Sequence, residues 1–242
     1  MQYKIFENTT VLFKTVADLI QNLSITKAEE NSYLNIAVSG GSTPKRLFEI
    51  MAQSPYAENI AWNNLRFFWV DERCVPPTDD ESNYKMTYEA LLHHSFINQA
   101  HVFRMQGENN PTAEAARYQE LLQDLLPKVN GYPVFDLILL GMGEDGHTAS
   151  IFPDNMALLT SEKAVAAAIH PASGQNRITL TGKTINHAEQ VLFLITGAGK
   201  ASIIKEIKQQ LPTASNYPAN FINNNKGNTV FYLDKDAGEL IV

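Results

Sequence analysis

The chain has 242 residues, of which 44% are hydrophobic and 19% charged, and its formal net charge is −7. This length fits one large α/β domain, and the apolar fraction excludes wholesale disorder. No run approaches the roughly 20 apolar residues of a membrane-spanning helix, and the N-terminus lacks the apolar core of a secretion signal. The acidic charge argues against general nucleic-acid binding. We therefore expect a cytoplasmic protein, a monomer or small homo-oligomer, with neither a membrane nor a nucleic acid as partner.

Strand and helix patterns alternate along the chain. Runs rich in Val, Ile, Leu and Phe predict buried strands at residues 33–38, 66–71, 134–140, 164–169, 191–196 and 229–233. Helical periodicity predicts helices at residues 10–23, 45–51, 82–93, 112–126 and 198–211. This alternation predicts an α/β fold in which residues 1–242 form a single domain, a doubly wound, mainly parallel sheet flanked by helices. Ligands of such sheets bind beyond the carboxyl ends of the strands.

The first strand-end loop, residues 39–44, opens a predicted helix. Gly40 and Gly41 allow a sharp turn and a close approach of the backbone to a ligand. Thr43 is the expected N-cap, and Pro44 suits the first helical turn. Free amides at a helix N-terminus attract anions, so we predict a phosphate site that includes Ser42. An ordinary strand-to-helix turn is the alternative.

The second loop begins with Asp71, Glu72 and Arg73, at the end of a very apolar strand. Three adjacent charges at this position form either a self-neutralising salt-bridge cluster or part of a binding site. In the second interpretation a carboxylate orients a reacting partner, and Arg73 holds an anion.

The third loop, residues 141–150, carries His147 two residues after Asp145. A loop histidine at a strand end can accept a proton near neutral pH, and the alternative is a histidine that is hydrogen-bonded for structure alone. The loop also matches the Gly-x-Gly-x-x-Gly pattern of dinucleotide sites. That pattern must open a long helix, yet Pro153 follows within about two helical turns. We therefore expect no dinucleotide cofactor.

Two further cations, Arg177 and Lys200, come from the last part of the chain. Lys200 lies where a predicted strand meets the start of a helix, and the helix dipole repels a cation there unless an anion lies between them. A phosphate clamp and a solvated lysine are both consistent with this position. The net charge does not oppose a phosphate, because a small ligand responds to nearby groups more than to distant screened charges.

Cys74 is the only cysteine, so an internal disulfide and a cysteine-based zinc site are both excluded. The histidines outside the third loop also lack metal-ligand spacing. We therefore expect no metal site.

Taken in order, these loops resemble the 6-phosphogluconolactonase family, which shares its fold with glucosamine-6-phosphate deaminase. The resemblance spans nearly the whole chain and rests on segments 39–44, 69–73, 82–84, 141–153, 177–181 and 196–200. Two positions distinguish the chain from the deaminases. Arg73 stands where they have tyrosine, and Phe152 stands where they have a glutamate before the proline. The resemblance implies a Rossmann-like, glucosamine-6-phosphate deaminase-like fold.

The same resemblance implies hydrolysis of 6-phospho-D-glucono-1,5-lactone to 6-phosphogluconate in the oxidative pentose phosphate pathway, without a cofactor or a metal. His147 would be the general base on water, and Asp145 or Asp71 would orient the base or the water. Backbone amides near Gly40 and Gly41, or that of Gly143, would stabilise the oxyanion.

The implied partner is therefore a small phosphorylated sugar lactone. The groups expected to bind it are Gly40, Gly41, Ser42, Thr43, Arg73, Arg177 and Lys200.

Other hypotheses remain open at this stage. A sugar-phosphate deaminase or isomerase is opposed by Arg73 and Phe152. A serine esterase would use Ser39 with His147, and a thiol mechanism would pair Cys74 with His147. A non-catalytic sugar-phosphate sensor would bind without turnover, although a sensor needs no base at position 147.

Overall fold

The computed structural model describes residues 1–241. Its strands are β1 (Gln2–Phe6), β2 (Leu34–Val38), β3 (Leu65–Trp69), β4 (Asp71–Arg73), β5 (Lys128–Val129), β6 (Tyr132–Pro133), β7 (Leu137–Leu140), β8 (Val165–Ile169), β9 (Asn176–Leu180), β10 (Gln190–Ile195) and β11 (Thr229–Asp234). Its α-helices are α1 (Thr9–Glu29), α2 (Ser42–Met51), α3 (Tyr56–Asn59), α4 (Asn83–Thr87), α5 (Pro111–Leu125), α6 (Gly182–Asn186), α7 (Ala201–Lys208) and α8 (Lys235–Gly238).

The central sheet has six strands in the order β1-β11-β10-β7-β2-β3, and all of its pairs are parallel. Every residue of β2, β7 and β11 is buried, as expected for strands covered on both faces. Helix α1 packs against β1, β2, β11 and α2. The predicted α/β class and the parallel sheet flanked by helices are therefore confirmed.

A second, antiparallel sheet has the order β4-β9-β8. Residues 164–169 were predicted as a central strand, and that prediction is wrong, because they form β8 in this smaller sheet. The physical reason is that only one face of this strand is covered: Ala167 is exposed, and so is Ile169, whose exposed fraction is 61%. An alanine-rich run does not distinguish a half-covered strand from a buried one.

The predicted strand 66–71 also divides between the two sheets. Strand β3 ends at Trp69, the chain crosses at Val70, and Asp71 pairs with Thr179 of β9. Arg73 lies opposite Arg177 in the same ladder. The crossing carries Asp71 and Arg73 away from the central sheet and towards the cleft above its carboxyl edge.

Two predicted helices are shorter than their sequence patterns. The helix predicted at 82–93 is α-helical only to Thr87 and continues as a π-helical turn, Tyr88–Leu92. The helix predicted at 198–211 begins as a 3₁₀ turn, Ala198–Lys200, and α7 ends at Lys208. Strand β1 escaped prediction because it is an edge strand in which three residues are exposed and two are partly buried. None of the helices formed by residues 1–241 has the length and apolar character to cross a membrane.

Candidate active site

A pocket of about 330 Å³ lies at the carboxyl ends of the parallel strands. It is the place where a doubly wound sheet is expected to bind a ligand. Four strand-end loops, after β2, β3, β7 and β10, reach it. The predicted site residues that line it are Gly40, Gly41, Ser42, Thr43, Asp71, Arg73, His147 and Lys200. The other two predicted residues, Asp145 and Arg177, lie behind this lining, the first against His147 and the second opposite Arg73.

The loop after β2 presents a row of free amides. Within residues 1–241, the backbone N–H groups of Gly40, Gly41, Ser42 and Thr43 donate to no protein acceptor. Gly41, at φ 102°, is the N-cap of the ten-residue helix α2, and no side chain caps it. The prediction of Thr43 as the cap is therefore wrong: its hydroxyl lies 3.1 Å from the Thr196 hydroxyl instead. Uncapped amides at a helix N-terminus form an anion site.

Asn83, which the sequence offered only as part of a family segment, fixes the opposite side of this loop. A Cβ on Gly40 would lie 1.7 Å from the Asn83 Oδ1, so only glycine fits at position 40. The Asn83 Nδ2 donates to the carbonyl of Asp71 over 2.9 Å. Asn83 thus packs closely against the loop after β2 while it is hydrogen-bonded to the loop after β3.

The carboxylate of Glu72 organises the wall beside Asn83. It is buried and accepts hydrogen bonds from the Ser82 hydroxyl and from the amides of Arg73, Asn83 and Tyr84. Burial raises the pKa of Glu72, and the bonds from these amides oppose the rise. Glu72 therefore acts on the architecture of the loop and does not reach the pocket lining.

His147 and Asp145 form a close pair. The His147 Nδ1 lies 2.6 Å from the Asp145 Oδ1, which also accepts from the His147 amide over 3.1 Å. Burial works to raise the pKa of Asp145, but the hydrogen bonds from His147 outweigh it and lower the pKa to about 2. An ionised carboxylate only accepts, so Nδ1 carries a proton, and in the neutral imidazole Nε2 is then the nitrogen with the lone pair. The imidazole is about one-third exposed and lines the pocket.

Two glycines give the His147 loop its shape. A Cβ on Gly143 would lie 2.2 Å from the His147 Nδ1. Gly146 has φ +79° and packs against Tyr217, leaving no room for a side chain. The Gly143 amide donates to the His147 carbonyl over 2.9 Å. This amide is already engaged, so the free amides at Gly40 and Gly41 are the better candidates for an oxyanion.

Asp71 is the second carboxylate of the pocket. It is buried, and its Oδ2 accepts from the Ser150 hydroxyl over 2.7 Å. Sequence alone left open whether Asp71 or Asp145 orients the histidine. The carboxylate in contact with His147 is that of Asp145, while Asp71 faces the pocket from another wall.

Two guanidinium groups approach each other at the junction of β4 and β9. The Nη1 of Arg73 donates to the carbonyl of Glu81. Arg177 is buried, and within residues 1–241 its Nε and Nη1 have no hydrogen-bond partner. Burial lowers the pKa of Arg177, and repulsion from Arg73 lowers it further. Buried donors without partners beside a second cation indicate a place for an anion.

Lys200 approaches the pocket from the loop after β10. It ends the 3₁₀ turn and is the N-cap residue of α7. Its ammonium lies 3.6 Å from the carboxylate of Glu144, and its side chain is 19% exposed. The predicted position at a helix start is therefore confirmed, and the cation is neither buried nor freely solvated.

The geometry weakens the two hypotheses that need another nucleophile. The hydroxyl of Ser39 donates to the carbonyl of Leu139 over 2.8 Å, so its partner is not a base. Burial raises the pKa of the Cys74 thiol to about 11, which suppresses the reactive thiolate. Phe152, the position at which the deaminases carry a carboxylate, packs against His147 with ring centres 5.0 Å apart. No group of three His, Cys, Asp or Glu side chains within residues 1–241 could hold a metal ion.

Comparison with known proteins gives the family. The sequence profile described as glucosamine-6-phosphate isomerases/6-phosphogluconolactonase matches residues 7–231. The chain belongs to this family. It is 45% identical over 224 residues to the 6-phosphogluconolactonase of Haemophilus influenzae, covering 93% of this chain and 94% of that protein.

Solved structures agree with the fold. The 6-phosphogluconolactonase from Trypanosoma cruzi superposes with a TM-score of 0.87 at 33% identity, covering 100% of this chain and 97% of that one. A monomeric glucosamine-6-phosphate deaminase superposes with a TM-score of 0.82 at 19% identity, over 99% of this chain and 100% of that one. The superposition on the deaminase, at 19% identity, shows a shared fold. The Trypanosoma cruzi protein, at 33% identity, is a 6-phosphogluconolactonase.

Proposed function

We propose that this protein hydrolyses 6-phospho-D-glucono-1,5-lactone to 6-phosphogluconate, with His147 as the general base. The observation that carries the proposal is the His147–Asp145 pair, whose free Nε2 belongs to the same pocket as the partnerless amides after β2. A lactone that bears a phosphate needs both parts: a base for water and donors for anionic oxygens.

In the proposed reaction His147 carries one proton from water to the ring oxygen, and the bond from the carbonyl carbon to the ring oxygen is replaced by a bond to the water oxygen. His147 Nε2 takes a proton from water while the water oxygen bonds to the lactone carbonyl carbon, whose oxygen becomes an oxyanion. The intermediate collapses by breaking the bond between that carbon and the ring oxygen. The departing ring oxygen then takes the proton from Nε2, leaving a free acid and a hydroxyl. The Asp145 carboxylate stabilises the imidazolium that exists between these transfers.

We propose that the oxyanion and the phosphate bind to different parts of the loop after β2. Gly40 is anchored to the Asp71 side through Asn83, and Thr43 contacts Thr196 on the side of Lys200. The amides of Gly40 and Gly41 are thus suited to the oxyanion.

The phosphate is assigned to the amides of Ser42 and Thr43, at the N-terminus of α2, together with Lys200, because these residues line the same pocket. Arg177 is the second cation that we assign to the phosphate, on the strength of its partnerless buried Nε and Nη1. Arg73 is assigned to the lactone end, and Asp71 to the orientation of the attacking water.

The remaining assignments follow from the sequence. We propose that residues 1–242 act as one α/β domain in the cytoplasm, as a monomer or small homo-oligomer that binds no nucleic acid. No cofactor enters the proposed reaction. Size-exclusion chromatography with light scattering measures the oligomeric state directly.

The test is an assay with freshly generated 6-phosphoglucono-lactone and subtraction of its spontaneous hydrolysis. We expect acid release that saturates with lactone and is lost in His147→Ala. A parallel assay follows ammonia release from glucosamine-6-phosphate, for which Phe152 offers no group to transfer a proton. Ammonia release without lactone hydrolysis would reverse the proposal, and binding of the phosphorylated product without turnover would identify a sensor.

A further inference from the structure

Adjacent residues of the loop after β7 point to different parts of the site. Asp145 contacts the base, His147, over 2.6 Å. Glu144 contacts the cation, Lys200, with its Oε1 3.6 Å from the ammonium. Its side chain is 76% exposed, in contrast to the 19% of Lys200. Glu144 is thus a solvated carboxylate at ion-pair distance from a largely covered ammonium.

The loop after β10 has room for this carboxylate because residue 199 is a glycine. A Cβ on Gly199 would lie 2.9 Å from the Glu144 Oε1 and would displace it. Lys200 is also the N-cap of α7, where the positive end of the helix repels an ammonium. A neighbouring anion offsets this repulsion, and Glu144 supplies one when no ligand is bound.

We propose that Glu144 is an internal competitor for the phosphate site, which sets the affinity of the enzyme for phosphate-bearing ligands. This inference rests on the proposed role of Lys200 in phosphate binding. In the free protein the Glu144 carboxylate occupies Lys200, and the phosphate of substrate or product must displace it. The carboxylate therefore weakens the binding of both and speeds the departure of the product.

The size of the effect follows from the exposure of the pair. Exposed ion pairs change an equilibrium by about 1.5- to 5-fold, and the competition raises the dissociation constant of the phosphate by that factor. The direction of the change in ligand affinity distinguishes a competitor from a residue that only supports the loop. Loss of a residue that only supports the loop would weaken ligand binding, whereas loss of a competitor strengthens it.

The test measures the Kd of inorganic phosphate by calorimetry at low ionic strength. We expect Glu144→Gln to lower this Kd about 1.5- to 5-fold and to lower the Ki of 6-phosphogluconate by a similar factor. The gain should shrink as salt is added, because salt screens exposed pairs. Glu189→Gln is the matched control: it makes the same charge change in an exposed pair with Lys226, before the amino end of β10, and should leave the Kd unchanged.

Lys200→Ala separates this inference from the proposed function. In that background Glu144→Gln should have no further effect, since the competition acts through Lys200. If Lys200→Ala weakens phosphate binding but Glu144→Gln leaves it unchanged or weakens it, the competitor is disproved and the phosphate role of Lys200 stands. If Lys200→Ala leaves phosphate binding unchanged, Lys200 does not bind the phosphate, and the proposed role of Glu144 as a competitor is disproved as well. An equal gain in Glu189→Gln would reduce the effect to overall charge and would also overturn the inference.

Discussion

The two sides of the pocket differ in how their polar groups are satisfied. On the side that we propose for proton transfer, His147 is held by Asp145, and Asp71 by Ser150. On the side that we propose for anion binding, the amides from Gly40 to Thr43 and two nitrogens of Arg177 have no partner within residues 1–241. The hydrogen-bonding groups named on the first side have partners within the protein, whereas those named on the second side do not.

This difference has a physical reason. A general base needs a fixed tautomer and a fixed direction, and internal hydrogen bonds provide both before the substrate arrives. An anion site needs donors that are free to point at the ligand, and fixed donors stabilise developing charge without reorganising. Partnerless buried donors cost stability.

Removal of the base breaks the proton-transfer side and has the largest expected effect. His147→Ala should lower kcat for the phosphorylated lactone by about 10²- to 10⁴-fold, the usual contribution of a positioned base. KM should change little, because the anion side is untouched. Steady-state kinetics, corrected for spontaneous hydrolysis, measures both. A variant that keeps near-normal kcat would remove the base assignment.

Asp145→Asn tests whether the contact between the Asp145 carboxylate and the His147 imidazole matters for the proposed base. We expect kcat to fall, but by no more than the about 10²- to 10⁴-fold that a positioned base contributes, because the amide no longer holds the imidazole as an ionised carboxylate does. Since the pKa of Asp145 is lowered to about 2, this carboxylate stays ionised above about pH 4 and cannot cause a loss of activity between pH 5 and 7. Steady-state kinetics measures the change, and a variant with near-normal kcat would contradict the role of this carboxylate.

The proton-transfer side was the easier one to predict from sequence. Asp145 and His147 lie two residues apart in one loop, so a local pattern carries both. The choice between Asp145 and Asp71 needed the fold, because it depends on which carboxylate the third dimension brings to the imidazole. The parallel sheet was also predictable, since β2, β7 and β10 are almost entirely apolar, with Asn35 and Gln190 as their only polar residues.

Long-range contacts on the anion side could not be predicted. Asn83 reaches Gly40 across 43 positions of sequence, and no local pattern encodes that approach. Thr43 has the residue type of a cap, yet Gly41, with its positive φ, is the N-cap, so the helix starts two residues earlier than predicted. The antiparallel sheet escaped because short strands that pair at a distance, such as β4 and β9, carry little periodicity.

Lys200→Ala breaks the anion side while sparing the base. A hydrogen bond to a charged group contributes about 1.5–3 kcal/mol, so kcat/KM for the phosphorylated lactone should fall about 10- to 150-fold. Hydrolysis of unphosphorylated gluconolactone should be unchanged, because it lacks the group that Lys200 binds. Lys226→Ala, which removes an exposed lysine paired with Glu189, is the control and should match wild type. Equal losses on the two lactones would contradict a phosphate role for Lys200.

Gly40→Ala strains the contact that joins the two sides, and its expected effect is the smallest. The added methyl would lie 1.7 Å from the Asn83 Oδ1, so one of the loops must shift. Overpacking of this kind costs about 1–3 kcal/mol, which thermal unfolding would record as a lower Tm. The double variant Gly40→Ala with Asn83→Ala removes the clash, and its Tm should exceed that expected from the sum of the two single changes. Additive losses would mean that Gly40 is required for its backbone alone, and that the two sides of the pocket are positioned independently.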